Sequence, residues 1–413
     1  MISKLKYDYL LGFIAVCWGL LFSFVLQLQP EFNPLGDDVS YLYSAKLLYV
    51  DHQLDNTRPL LISALHGIPY LFGGTDQAVI HWGLLLNFIS WFATVLLVFA
   101  LVADRHSRKM AFVVAVLFML CIGNLAHAFR FLSETMYIFM LVAAVYYTNK
   151  YDRTKQATYI SLAIALLLLN ALIKPVSLGL AVVFTAFYIF KIKSIFLNAY
   201  APILFGSALL VLFQMYTLKK QFGDFTISYI GAITYYNYIG AKSDCYQKGI
   251  DYLPGKNERA YKTKHLPSHE AMQLAQADFS DQLKNNKFNL CKAYLFCMYS
   301  NSSKGNYIVS ECKNEQNTVY FGFFRWLFKA ISKCQTVFFT LSGLVISFYL
   351  LLHFKKTNSF YVLMALTILY IFFISAMSCF ECDRFHIAFY PLVLVMLVGV
   401  GKKPLDIAIR KNF

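Results

Sequence analysis

Apolar runs of about 17–25 residues recur along the chain, and each is long enough to cross a bilayer as an α-helix. In hydrocarbon every backbone N–H and C=O must find a partner within the segment, so such runs fold as helices and not as open sheet. The chain of 413 residues is 58% hydrophobic and 14% charged, against roughly half apolar and a quarter charged in an average soluble domain. The sequence therefore predicts an all-α polytopic membrane protein with about ten transmembrane helices, in a range of about nine to twelve.

The expected spans are residues 9–28, 79–102, 110–126, 132–148, 157–173, 176–190, 201–217, 336–352, 361–378 and 387–400. The fifth ends at Lys174-Pro175, where proline cannot continue the hydrogen-bond ladder. Residues 321–333 carry Arg325, Lys329 and Lys333 at four-residue spacing among aromatics, the pattern of a helix lying in the membrane interface. Residues 217–320 are mixed and polar, too long for a simple connection. Three modules follow. Residues 1–216 form an N-terminal transmembrane module with its first polar loop at 29–78, residues 217–320 a small outer domain or lid, and residues 321–413 a C-terminal transmembrane module.

The net charge of +15 does not imply a nucleic-acid partner, because of where the charges lie. Of the 37 Lys and Arg, 16 fall in short connections on one side, five in those on the other, and 16 in the long polar segment and the basic helix that follows it. This asymmetry is the positive-inside pattern, and it sets both termini in the cytoplasm. Lys4 and Lys6 resemble the start of a signal peptide, but the run over 9–28 is too long and lacks a small-residue cleavage site. It reads as the first spanning helix. Cys245, Cys291, Cys297 and Cys312 would share the outer, oxidising compartment, where disulfides among them are expected with the pairing open. The Cys379-x-x-Cys382 motif reads as unpaired thiols or a local disulfide.

The stretch from Pro34 to Pro69 holds the adjacent acids Asp37 and Asp38 and a basic residue, Arg58, before a proline. Acids beside a membrane are costly and usually functional. In the expected topology Asp37, Asp38, Arg58, Arg130, Glu134, Lys174, Glu381, Asp383 and Arg384 all fall at the outer membrane end. Simpler readings compete at several of them. One Asp could cap a helix starting near Val39, Lys174 could snorkel to the interface, and Arg384 could pair with Asp383 or Glu381. The histidines show no metal spacing, and Asn301-Ser302-Ser303 is a glycosylation sequon of a kind common by chance. No phosphate-cradling glycine loop of the nucleotide-binding kind is present. A group-transfer donor would then be lipid-borne rather than a nucleotide.

Four places carry a family resemblance. They are Gly36-Asp37-Asp38 with Tyr41 and Ala45, Arg58-Pro59-Leu60 followed by Gly67, Pro69 and Phe72-Gly73, Leu172-Ile173-Lys174-Pro175, and Asp383-Arg384-Phe385 with Pro391. Together they resemble the polytopic, lipid-donor glycosyltransferases of the GT-C class, which include protein mannosyltransferases, the aminoarabinose transferase acting on lipid A and bacterial transferases that modify O-antigen in lipopolysaccharide. The resemblance implies an inverting glycosyltransferase of the bacterial inner membrane with its site facing the periplasm. Its partners would be a polyprenyl-phosphate-linked sugar donor, a glycan, lipid or protein acceptor, and the bilayer. Asp37 or Asp38 would be the general base. Arg58, Lys174 and Arg384 would bind the donor phosphate. Tyr41, Tyr43, Arg130 and Glu134 would contact substrate. No cofactor is required, although the two acids could divide the work, with one holding a divalent metal. A transporter or flippase of a lipid-linked or anionic substrate, and a glycan polymerase or ligase, are the competing classes.

Overall fold

The protein was analysed as a computed structural model, which describes residues 2–28, 36–253, 257–379 and 381–400. Among these the chain is helical and has no strand. Pro34, the part of the 29–78 loop up to residue 35, and the basic tail beyond Val400 lie outside the described residues, as do the side chains of Lys4 and Lys6.

In chain order, α1 (Ile2–Leu26) is followed by two short helices, α2 (Asp37–Tyr49) and α3 (Leu60–His66). The long α4 (Asp76–Ala103) comes next, then α5 (Arg108–Met119), α6 (Ile122–Ala128), α7 (Glu134–Thr154) and α8 (Thr158–Ala171). After these come α9 (Ser177–Phe187), α10 (Ile192–Phe196) and α11 (Ala201–Phe222). The polar segment folds as α12 (Ile230–Thr234), a π-helical stretch, α13 (Ala241–Lys248), α14 (Glu258–His265), α15 (Ser268–Asn285), α16 (Lys287–Ser303) and α17 (Tyr307–Glu311). The chain closes with α18 (Val319–Leu352), α19 (Ser359–Ser375) and α20 (Tyr390–Val400).

Among the described residues four helices are long and apolar enough to cross a membrane: Tyr7–Leu26 within α1, then α4, α11 and α18. Two bent pairs, α5 with α6 at 64° and α9 with α10 at 70°, raise the number to six if each is one span. Helices α8, α19 and α20 are apolar but shorter, and α7 carries charge at both ends. The bend between α5 and α6 frees backbone groups that a membrane helix cannot leave unmet. A side chain of α18 meets them: Gln335 accepts from the Ile122 N–H at 2.9 Å and donates to the Leu120 carbonyl at 2.8 Å.

Two expectations change here. The interface helix over 321–333 and the span over 336–352 are one continuous helix of 34 residues. No glycine or proline separates Lys333 from Thr336, so nothing stops the ladder. At 1.5 Å per residue α18 is about 51 Å long, longer than the hydrocarbon core of about 30 Å. The acids Asp37 and Asp38 do not cap a helix at Val39 either. The helix starts at Asp37 itself, with Gly36 as N-cap and no side-chain cap bond. Both acids lie in its first turn, where the helix dipole favours negative charge.

The bundle shares one apolar core, in which Trp91, Phe118, Phe131, Phe184 and Phe360 are fully buried. The polar segment has a separate small core built from Tyr235, Tyr236, Ile239, Ala275, Leu290 and Ala293, so the described helices from α12 to α16 form a helical cap with its own packing, whereas Ile308 and Val309 of α17 pack in the bundle core. The end of the bundle away from the cap is tied by ion pairs between α7 and the turn after α4, Arg105 to Asp152 at 2.7 Å and Lys150 to Asp104 at 3.0 Å.

Candidate functional site

A cavity of about 530 Å³ lies between the cap and the end of the bundle that carries Asp37. Its polar lining comes from stretches far apart in sequence: Asp37 from α2, Arg58 from the loop before α3, Lys174 from the turn after α8, and Glu381 and Arg384 from the connection between α19 and α20. Local chemistry sets each in place. Asp55 Oδ1 accepts from the backbone N–H groups of Thr57 and Arg58 at 2.6 and 2.7 Å, a side-chain-closed turn that fixes Arg58. Leu60 N–H donates to Gln214 at 2.8 Å. The N–H groups of Leu61 and Ile62 donate to the Leu172 carbonyl at 2.9 and 3.1 Å. The unmet donors of one helix start thus satisfy an unmet acceptor at another helix end, which brings the Arg58 loop beside Lys174. Pro175 keeps the chain from continuing α8 and leaves Lys174 facing the cavity.

The charged groups form one network. Arg58 pairs with Asp37 at 2.7 Å and lies over the Tyr41 ring at 4.2 Å. Arg384 pairs with the other oxygen of Asp37 at 2.6 Å, with Glu381 at 3.1 Å and, through Nε, with Glu134. Lys174 pairs with Glu134 at 3.0 Å. Tyr41 Oη lies 2.7 Å from Ser133 Oγ and 3.3 Å from Arg58. Glu134 is buried beneath the cavity floor, whereas the Asp37 side chain is 36% exposed. Desolvation acts to raise the pKa of Asp37, but the Arg384 and Arg58 guanidiniums outweigh it and hold the carboxyl well below the usual carboxylate range. The rest of the lining is largely apolar, with Ile173, Pro175 and Val176 facing Tyr370, Ile374 and Met377 of α19 and its end.

The candidate residues do not all meet in the cavity. Asp37, Tyr41, Arg58, Lys174 and Arg384 line it. Asp38 is 1% exposed and faces away, toward Arg130 at 3.6 Å, so the two neighbouring acids point to different partners and do not form one metal-binding pair. Arg130 and Glu134 sit on a turn held by Asn87, which donates to the carbonyls of Arg130 and Leu132 at 2.6 and 3.0 Å. Tyr43 is exposed on the opposite side of α2 and does not line the cavity. Arg384 pairs with Glu381 and not with Asp383. Asp383 instead accepts from Asn306 at 3.0 Å. Among the described residues no group of three or more His, Cys, Asp or Glu is placed to hold a metal ion.

The cysteine pairing differs from the expectation. Cys297 of α16 is bonded to Cys379 beyond α19, and Cys245 and Cys291 are free thiols. The pair forms because the cap packs directly on the end of α19, which loop counting cannot reveal. Asn301 of the sequon is buried, with its amide donating to the carbonyls of Ser375 and Ser378 at 2.9 Å each, so it is not presented to a glycosylating enzyme. Sequence reading gives no site role to Asp55, Gln214 and Asn87, which position the charged groups. The turn-forming run Asp55-Asn56-Thr57 is a readable signal for the first. The other two are single amides inside apolar helices, and that polarity is their only signal. Compared with protein families, with curated proteins and with solved structures, the chain matches none.

Proposed function

We propose that the protein is an inverting glycosyltransferase that moves one sugar from a polyprenyl-phosphate carrier to a glycan, lipid or protein acceptor at the outer face of a bacterial inner membrane. The observation that carries this reading is the meeting of one partly exposed carboxylate, Asp37, with Arg58, Lys174 and Arg384 around a single cavity whose remaining walls are mostly apolar. Ten passages of the membrane follow if the four long helices, the two bent pairs and α7, α8, α19 and α20 each cross once. Both termini then lie in the cytoplasm and the cap lies outside.

The chemistry follows from the competition for the guanidiniums. In the free protein Arg58 and Arg384 are engaged with Asp37, which makes that carboxylate a weak base. A donor phosphodiester offers a second anion with two terminal acceptor oxygens, and Arg binds it through a planar fork. As both arginines turn to the phosphate, Asp37 loses its stabilising partners and its proton affinity rises toward that of an ordinary carboxylate. It then takes the proton of the acceptor hydroxyl while that oxygen attacks the anomeric carbon. The bond from that carbon to the phosphate oxygen breaks, and the prenyl phosphate leaves with the electron pair, neutralised by Lys174 and the two arginines. Attack opposite the leaving group inverts the anomeric centre. Asp38, paired with Arg130, holds the frame of the site.

The test is transfer in membranes supplied with polyprenyl-phosphate hexose and a surface-glycan extract, followed by mass spectrometry. The expected result is a gain of one hexose on an acceptor. No transfer with any prenyl-phosphate sugar overturns the reading and favours a transporter.

A further inference from the structure

Arg384 lies in the irregular connection between α19 and α20, where its own N–H makes a local turn bond to Glu381 at 3.2 Å and the Ile387 N–H donates to Asp383 at 3.0 Å. Just before it, Cys382 has a φ of 55°, a left-handed conformation that a non-glycine residue keeps only where its surroundings over-determine it. An arginine paired with three carboxylates needs a fixed backbone, and the bundle fixes it on the α20 side, where the Asn124 amide donates to the Ile387 carbonyl at 3.0 Å and the buried His386 meets the hydroxyls of Thr340 and Ser375 at 2.9 Å each.

The cap fixes it on the α19 side. Tyr294, Cys297 and Asn301 fall at three- and four-residue spacing on α16, hence on one helix face. All three reach the end of α19. Tyr294 Oη donates to the Phe373 carbonyl at 2.8 Å. Cys297 is bonded to Cys379. The Asn301 amide donates to the Ser375 and Ser378 carbonyls, acceptors that a helix end otherwise leaves open. Three residues beyond the end of α16, Asn306 at the start of α17 donates to Asp383 at 3.0 Å. The cap therefore grips the end of α19 and the start of the connection, at 373–379, and Asn306, where the chain passes from the cap into the bundle, holds Asp383. The grip combines polar and covalent contacts with the packing of Met377 and Cys379 against the cap's core, so it fixes position as well as proximity.

We infer that Asn301, Asn306 and the Cys297–Cys379 bond are positioning elements for Arg384, so that the cap holds the arginine's connection in place in addition to covering the cavity. This rests on the reading of Arg384 as a ligand for the donor phosphate, and the test separates the two. A detergent-soluble C10 prenyl monophosphate serves as the probe. Its affinity is measured for the full-length protein and for Asn301→Ala, Arg384→Gln and the double variant, with amide hydrogen exchange followed over residues 381–388 in the same samples. Thermal unfolding confirms that each variant is folded. The expected results are faster exchange over 381–388 in Asn301→Ala and about tenfold weaker probe binding, with the binding loss falling below about twofold in the Arg384→Gln background, as residues acting through one another are non-additive. Cys297→Ser gives the same pattern. Unchanged exchange in both variants overturns the inference, as does an equal binding loss in the two backgrounds. If the wild type does not bind the probe, the phosphate reading fails, and the exchange data alone decide whether the cap positions the connection.

Discussion

Asp37 and Asp38 are neighbours in sequence with opposite fates. Asp37 opens the first turn of α2 on the cavity side between two guanidiniums, and Asp38 turns into the packing against Arg130. The charged residues were legible in the sequence because ionised groups stand out in an apolar chain. Their division of labour was not, because it depends on the helix starting at Asp37 and not at Val39. A kinetic consequence follows for the proposed mechanism. In the free protein Asp37 stays ionised to well below about pH 4, the ordinary carboxylate value, so kcat/KM has no acid limb from this group above that pH. With donor bound the arginines are diverted and its pKa rises, so the acid limb of kcat, which reports the bound complex, lies at higher pH than that of kcat/KM. Coincident limbs contradict the activation step. Asp383 behaves in the opposite way. Burial pushes its pKa up to about 7, against the hydrogen bond from Asn306. Since its folded pKa exceeds its unfolded one, the fold gains from the protonated form below about pH 4 and loses that stability as pH rises through about 7. Infrared difference spectra are expected to show a protonated-carboxyl band that disappears with a midpoint near pH 7 and is absent in Asp383→Asn.

At the scale of elements, the apolar runs and the proline at 175 were visible, and the structure places helices over nearly all of them. The breaks were less visible. Nothing in Leu120-Cys121-Ile122 resembles a helix stop, and that bend exists because Gln335, more than 200 residues later, satisfies its free backbone groups. Conversely, the supposed join near residue 334 lacks a breaker, and α18 runs through it. Close helix contacts were equally hidden. Gly179 of α9 meets Tyr370 of α19 so tightly that a Cβ there would overlap the phenol, whose hydroxyl donates to the Val176 carbonyl at 2.8 Å in the cavity wall. Gly179→Leu is expected to force α9 from α19 and cost about 1–3 kcal/mol or more by overpacking, read as a lower Tm in detergent, with weaker binding of prenyl phosphate. An unchanged Tm contradicts this packing.

For the whole molecule, the order of the apolar runs put Asp37, Arg58, Glu134, Lys174 and Arg384 at one membrane end, and the network these residues form and the cavity lie at a single end of the bundle, under the cap. What the sequence did not reveal is how the cap docks. Its contacts to α19 are made by ordinary residues, an asparagine inside a chance sequon and a cysteine whose partner lies 82 positions away, and none differs in type from many that do nothing. The central claim is that the exposed acid of the pair is the base and the buried one is structural. The most direct measurement is sugar transfer from polyprenyl-phosphate hexose by Asp37→Asn and Asp38→Asn at matched expression, with the Tm of each purified variant. Asp37→Asn is expected to lose at least about a hundredfold in kcat, the scale of a lost general base, while its Tm stays near that of the wild type or changes modestly. Asp38→Asn is expected to lower Tm and to keep most of the turnover per folded molecule. Full transfer by Asp37→Asn, or a hundredfold loss confined to a folded Asp38→Asn, would contradict it.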